Sequence, residues 1–223
     1  MKHFIITVLF LFLNFSVFSQ MKSVVLDDKP VPKPAMVNTQ IINWNQSQQG
    51  YQTLNQPGKD FLYWINYTRN NPKSFWDSVV LPILQAFPVL KSSYTESLKK
   101  DLYTQAQLPL LKLNSKLMAT AISHSKDISQ HHAQPGHTST DGRTFSDRIK
   151  AAGIKYCGGE NVSFGAVDPL LSLVLLYIDN GIPTLGHRKA LLNPDYVETG
   201  IGVTDYDTPG NLFIVQDFSC NQE

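Results

Sequence analysis

Four polar residues stand out because of what surrounds them. His137 lies in Gly136-His137-Thr138-Ser139-Thr140-Asp141-Gly142, and Glu160 in Gly158-Gly159-Glu160-Asn161-Val162. Asp179 follows the apolar run Leu170 to Ile178, and His187 sits in Leu185-Gly186-His187-Arg188. Imidazoles and carboxylates are the side chains of divalent-metal sites and of general acid–base chemistry. Taken singly, each also reads as a surface loop histidine or a strand-edge carboxylate. Asp179 is the hardest to dismiss. A carboxylate near a helix C-terminus faces the negative end of the dipole, at about 0.3–1 kcal/mol. On so apolar a helix it calls for a cationic or hydrogen-bonding partner. H-E-x-x-H and G-x-S-x-G do not occur, so neither a standard metalloprotease helix nor an α/β-hydrolase nucleophile is supported.

The elements that must carry these residues follow from periodicity and caps. Asp60 is expected to cap a helix with Phe61, Trp64, Ile65 and Thr68 on one face, ended by Pro72. Residues 73–110 read as a helical insertion, with a capping-box pattern at Ser93 and Glu96. Leu117, Ala121, His124 and Ile128 share the apolar face of a further helix, which makes His124 a packed core histidine. The His137 segment is a loop with a turn at Asp141-Gly142, and Thr144 caps a short helix after it. Glu160 opens a strand. Asp168-Pro169 starts a helix that is apolar all round and hence buried, with Asp179 in its last turn and Gly181 closing it. Two strands, Gly200 to Thr204 and Asn211 to Phe218, end the chain around a turn.

Composition sets the wider frame. The 223 residues are 42% hydrophobic and 17% charged, values of an ordinary globular protein. Lys2 and His3 precede an apolar run to Val17 that is shorter than the ~20 residues of a comfortable bilayer span. Residues 1–19 therefore read as a signal peptide cut after Ser19, with no transmembrane segment in the mature chain. The protein is expected to be secreted, whether extracellular or periplasmic. Net charge is +1, which favours neither nucleic acid nor an anionic membrane as partner. Residues 20–56, with Lys29-Pro30-Val31-Pro32-Lys33-Pro34 and an Asn/Gln-rich stretch, read as a linker or surface strap. Cys157 and Cys220 form an even pair, one disulfide in an oxidising compartment. Two metal thiolates are the rival reading, with no C-x-x-C to support it.

The ordered set of motifs resembles a known family. Leu117, Ala121, His124 and Asp127 are followed by Gly136-His137 with Asp141-Gly142-Arg143, then Asp147-Arg148-Ile149. Gly159-Glu160-Asn161-Val162, Gly186-His187-Arg188, Leu191-Leu192-Asn193-Pro194, Gly200-Ile201-Gly202 and Gln216-Asp217-Phe218 complete it. In this order they resemble the bacterial branch of the CAP superfamily (cysteine-rich secretory proteins, antigen 5, pathogenesis-related 1; SCP-like extracellular domains), over about residues 57–223. The resemblance implies an α+β fold, a three-layer α-β-α sandwich with a small antiparallel sheet. It also implies a cleft lined by His137, Glu160, His187 and, from the helix before Gly186-His187, Asp179. Such a tetrad suits Zn²⁺ or another divalent metal, with the histidines as ligands. Glu160 and Asp179 would ligate, orient a histidine, or act as catalytic bases on a bound water. Three functions follow: a secreted module binding a small apolar molecule or peptide, a metal-assisted extracellular hydrolase, or a structural polar cluster without metal.

Overall fold

A computed structural model describes Leu26 and residues 29–222. The expected signal peptide lies outside the described residues. After an extended strap, helices α1 (Thr39–Gln46) and α2 (Gln56–Asn70) lead into the region 72–104. That region is a helical run, α3 (Pro72–Phe75), a π-helical turn (Trp76–Val80) and α4 (Leu81–Ala86), followed by α5 (Ser93–Thr104). Strand β1 (Lys112–Leu113), α6 (Ser115–Gln130), α7 (Phe145–Ala151), β2 (Gly158–Ala166), α8 (Pro169–Ile178) and α9 (Gly186–Leu191) come next. Strands β3 (Glu198–Tyr206) and β4 (Thr208–Ser219) end the fold.

The sheet has the order β1-β3-β4-β2. The three long strands pair antiparallel, and the two-residue β1 pairs parallel with β3. Helix α6 lies directly on one face, and two glycines make that contact possible. A Cβ at Gly200 would stand 2.0 Å from the carbonyl carbon of Leu117, and one at Gly202 would stand 2.2 Å from the Ala121 carbonyl oxygen. Any side chain there would push α6 off the sheet. Helices α2 and α8 pack together and reach the sheet at β3 and β2 respectively. The main core gathers Phe61, Trp64 and Ile65 of α2, Leu173, Val174 and Tyr177 of α8, and Ile201 and Phe218 of the sheet.

Several local expectations need correction. Helix α2 starts before Asp60. Asn55 is its N-cap, accepting from the Gly58 N–H at 3.1 Å, and Pro57 fits the first turn, where no intrahelical donor is needed. Asp60 instead accepts from Gln56 Nε2 at 2.6 Å. Pro72 opens α3 rather than only ending α2. The cap of α5 is Ser92, whose N–H donates to Thr95 Oγ1 at 3.0 Å, not the pair Ser93 and Glu96. The Asn/Gln-rich stretch is not a linker. It forms α1, which buries Ile41 and uses Asn45 Oδ1 to accept from Asn66 Nδ2 at 2.8 Å. The Pro-rich stretch before it is an extended strap, pinned by Lys33 to Asp168 at 2.7 Å. Asp168 also caps α8 as expected. The end of α8 differs, because Asp179 has left the helix and sits in the left-handed region at φ 57°. Cys157 and Cys220 form a disulfide that joins the chain just before β2 to the end of β4.

Candidate functional site

The first histidine is held by a loop built around α7. Thr144 caps that helix, exchanging hydrogen bonds with Asp147, and so turns Arg148 inward. The Arg148 guanidinium is buried and donates to His137 O at 3.0 Å. It also binds Glu160 Oε2. The other Glu160 oxygen, Oε1, accepts from His137 Nδ1 at 2.9 Å. A carboxylate only accepts, so the proton of His137 is on Nδ1 and Nε2 is left outward. The His137 side chain is 55% exposed, whereas that of Glu160 is 1% exposed.

The second histidine repeats this chemistry on a different scaffold. His187, in the first turn of α9, donates Nδ1–H to Asp179 Oδ1 at 2.6 Å. The Arg188 backbone N–H donates to Asp179 Oδ2 at 3.2 Å. The Asp179 side chain is fully buried and that of His187 is 19% exposed. Asp179 thus has the partner that its apolar helix demanded. The His187 segment is tied to β2 at the residue that follows Glu160. Asn161, next to Glu160, donates Nδ2 to His187 O at 3.4 Å.

Sequence reasoning missed a fifth group. Asp217 is the cross-strand partner of Glu160 and is fully buried. Thr120 Oγ1 of α6 donates to its Oδ2 at 2.5 Å, while Oδ1 has no donor among the described residues. Burial, and next the charge of Glu160, push the Asp217 carboxyl well above the usual range. Burial pushes Glu160 up too, but its bond from His137 and the Arg148 charge outweigh that and hold it low. The two shifts run in opposite directions, so Asp217 holds its proton to higher pH than Glu160 does. Strand parity carried the signal: Asp217 alternates with Phe213 and Val215, both of which face inward.

His124 is the buried histidine its helix implied. Its Nε2 lies 2.8 Å from Gly136 O and its Nδ1 3.1 Å from Ser139 Oγ, so it grips the loop on both sides of His137. Burial pushes its pKa down, which keeps it neutral. Two cavities of about 410 and 400 Å³ lie elsewhere, one between α5 and α9 and one under the strap. None of the four site residues lines either. Among the described residues, no three His, Cys, Asp or Glu side chains come together as a metal-binding group. No helix among them is long and apolar enough to cross a membrane.

Residues 62–218 match the family described as the cysteine-rich secretory protein family, CAP. The chain belongs to this family. Its α+β architecture is that of a CAP domain. An uncharacterized membrane protein of Bacillus subtilis is 29% identical over 97 residues, 43% of this chain and 26% of that protein. An extracellular SCP-domain protein of Bacillus anthracis is 30% identical, with a TM-score of 0.40 over 51% of this chain and 35% of its own. Venom allergen-like protein 4 of Schistosoma mansoni is 13% identical, with a TM-score of 0.44 over 76% of this chain and 92% of its own. The chain thus spans well under half the length of both Bacillus relatives.

Proposed function

We propose that this CAP domain is an extracellular binding module in which His137 and His187 hold a divalent ion, Zn²⁺ first. Glu160 and Asp179 orient the two rings from behind. One observation shared by both pairs supports this: each Nδ1 is spent on a buried carboxylate, and neither Nε2 has a hydrogen-bond partner among the described residues. A carboxylate behind a histidine fixes its tautomer and raises its basicity toward a metal. Two imidazoles leave the remaining positions to solvent or ligand, so moderate affinity is expected rather than the tight binding of three or four protein ligands. The ion would supply an electrophilic centre for an oxygen or nitrogen of a small, largely apolar molecule or peptide. Secretion rests on the N-terminal segment and on the disulfide. The hydrolase alternative has less support. All four oxygens of Glu160 and Asp179 already accept a hydrogen bond, and both carboxyl groups are buried, which disfavours either as a base for water.

Calorimetric Zn²⁺ titration with thermal melts tests the reading. Wild type should bind at micromolar concentration. His187→Ala should weaken binding at least about tenfold with little change in Tm, because a site with few protein ligands cannot lose an imidazole easily. His124→Ala should act mainly on stability, lowering Tm by removing packed volume, and should weaken metal binding less than His187→Ala because it frees the loop of His137 without removing a ligand. No binding of any divalent ion by wild type would leave the structural-cluster reading. Chelator-sensitive hydrolysis of a general substrate panel would favour the enzyme.

A further inference from the structure

We infer that Arg188 is a positioning residue for His187, and that helix α5 acts on the site through it. This rests on the reading of His187 as part of the site. The segment between α8 and α9 is bracketed by two non-glycine residues in the left-handed region, Asp179 at φ 57° and Leu185 at φ 52°. L side chains rarely adopt this conformation, so the surroundings must hold it. Arg188 does so. Its side chain is 2% exposed, and all five guanidinium N–H groups have acceptors. Nε donates to Tyr177 O at 2.7 Å and Nη2 to Ile178 O at 2.9 Å, carbonyls that the end of α8 leaves open. The remaining bonds go to α5: Nη2 to Tyr94 O at 2.9 Å, Nη1 to Ser97 Oγ at 2.8 Å and to Asp101 Oδ2 at 2.9 Å.

One planar fork therefore locks α5 to the last turn of α8. Its own backbone N–H holds Asp179 Oδ2 while Asp179 Oδ1 holds the ring of His187. A lysine supplies a point charge and no fork, so it cannot cap α8 and bind α5 together. His137 has no link to α5 among its hydrogen bonds. Its carboxylate is tied to Arg148 of α7 instead. Loosening the α5 clamp should then disturb one histidine and spare the other.

The test uses the metal-free protein labelled with ¹⁵N-histidine, with imidazole nitrogen shifts as the readout. In wild type, both His137 and His187 should show the Nδ1-protonated form. Ser97→Ala/Asp101→Ala leaves Arg188 in place and removes only its side-chain acceptors on α5. It is expected to convert His187 to a mixture of tautomers and to weaken Zn²⁺ binding about threefold or more, with His137 unmoved. Arg188→Lys should do the same more strongly, and Asp101→Glu, which keeps a carboxylate in reach, should preserve the wild-type shifts. Unchanged His187 shifts in the folded double variant would overturn the inference, and so would equal changes at both histidines, which signal general loosening. If Arg188→Lys does not fold, the double variant still decides. Failure of wild type to bind Zn²⁺ would overturn the metal reading and leave the tautomer result to judge Arg188.

Discussion

The two histidine–carboxylate pairs use the same chemistry and differ in what stands behind it. In each, a buried carboxylate holds a histidine by Nδ1 and an arginine holds the carboxylate. At His187 the arginine contributes its backbone N–H, and its side chain is spent on bracing two helices. At His137 the guanidinium itself meets the carboxylate, which shares its surroundings with the second acid, Asp217. One ring is mostly withdrawn and mounted on a helix, while the other is mostly exposed and mounted on a loop. Equal pairs thus do not mean equal sensitivity. The His137 half should respond strongly to charge and pH, and the His187 half to packing.

Removing the charge tests this most harshly. Arg148→Ala takes the cation from a buried carboxylate that already faces another acid. It also releases the carbonyls of His137 and Arg143. Breaking a buried pair from one side costs about 3–5 kcal/mol. A loss of that size in urea unfolding is expected. If the loss is below about 1 kcal/mol, the charge of Glu160 is not held by Arg148 and the contrast fails.

The second acid gives a smaller effect of opposite sign. The Asp217 pKa is raised in the fold by burial and by Glu160. Between its unfolded value of about 3.9 and its folded value, the native state binds more protons than the unfolded state. The stability it contributes is therefore present at low pH and lost as pH rises through that window. Glu160, whose folded pKa is held low, contributes the reverse: its share is present at higher pH and is lost on acidification. Asp217→Asn keeps the shape of the neutral acid and cannot ionise. It should remove the decline on the alkaline side and stabilise the protein at neutral pH. Melts across pH 4 to 9 would show it, and an unchanged profile would mean that Asp217 is not the protonated partner.

Much of this was legible in the residues, for physical reasons. Asp168-Pro169 and Thr144 with Asp147 are local signals, satisfied within one turn, and the structure uses both as read. His124 could be placed because helical spacing alone puts it among Leu117, Ala121 and Ile128. The cap of α2 is Asn55 rather than Asp60, and Pro57 and Gly58 fit the first turn that it opens. The end of α8 at Asp179 is braced by Arg188, which reaches partners up to 94 residues away, and no local rule reports that. The same holds for Arg148 and Asp217. Counter-charges for buried acids come from other elements, and the sequence shows the acid without its partner.

The mildest effect expected is also confined to one half. His124 is neutral in the fold because burial lowers its pKa, while the charge of Glu160 opposes and that of Arg148 assists. As a neutral ring it donates from Nε2 to Gly136 O and accepts from Ser139 Oγ at Nδ1. Protonation forces Nδ1 to donate as well, so Ser139 must turn its hydroxyl away while Arg148 Nη1 already points at that oxygen from 3.3 Å. A histidine whose folded pKa lies below its unfolded value of about 6.5 contributes stability that is complete above that pH and is lost as pH falls toward the folded value. The His137 loop should loosen over that acid range. Hydrogen exchange at Ser139 and Gly142, whose amides close the loop onto Arg143 O and Ser139 O, should accelerate severalfold beyond the intrinsic pH effect. Exchange at Asp179 and Arg188 should not accelerate, since His124 is not among the groups that hold that segment. Parallel acceleration in both segments would mean that acid loosens the whole domain, and that His124 does not set the difference between the two histidines.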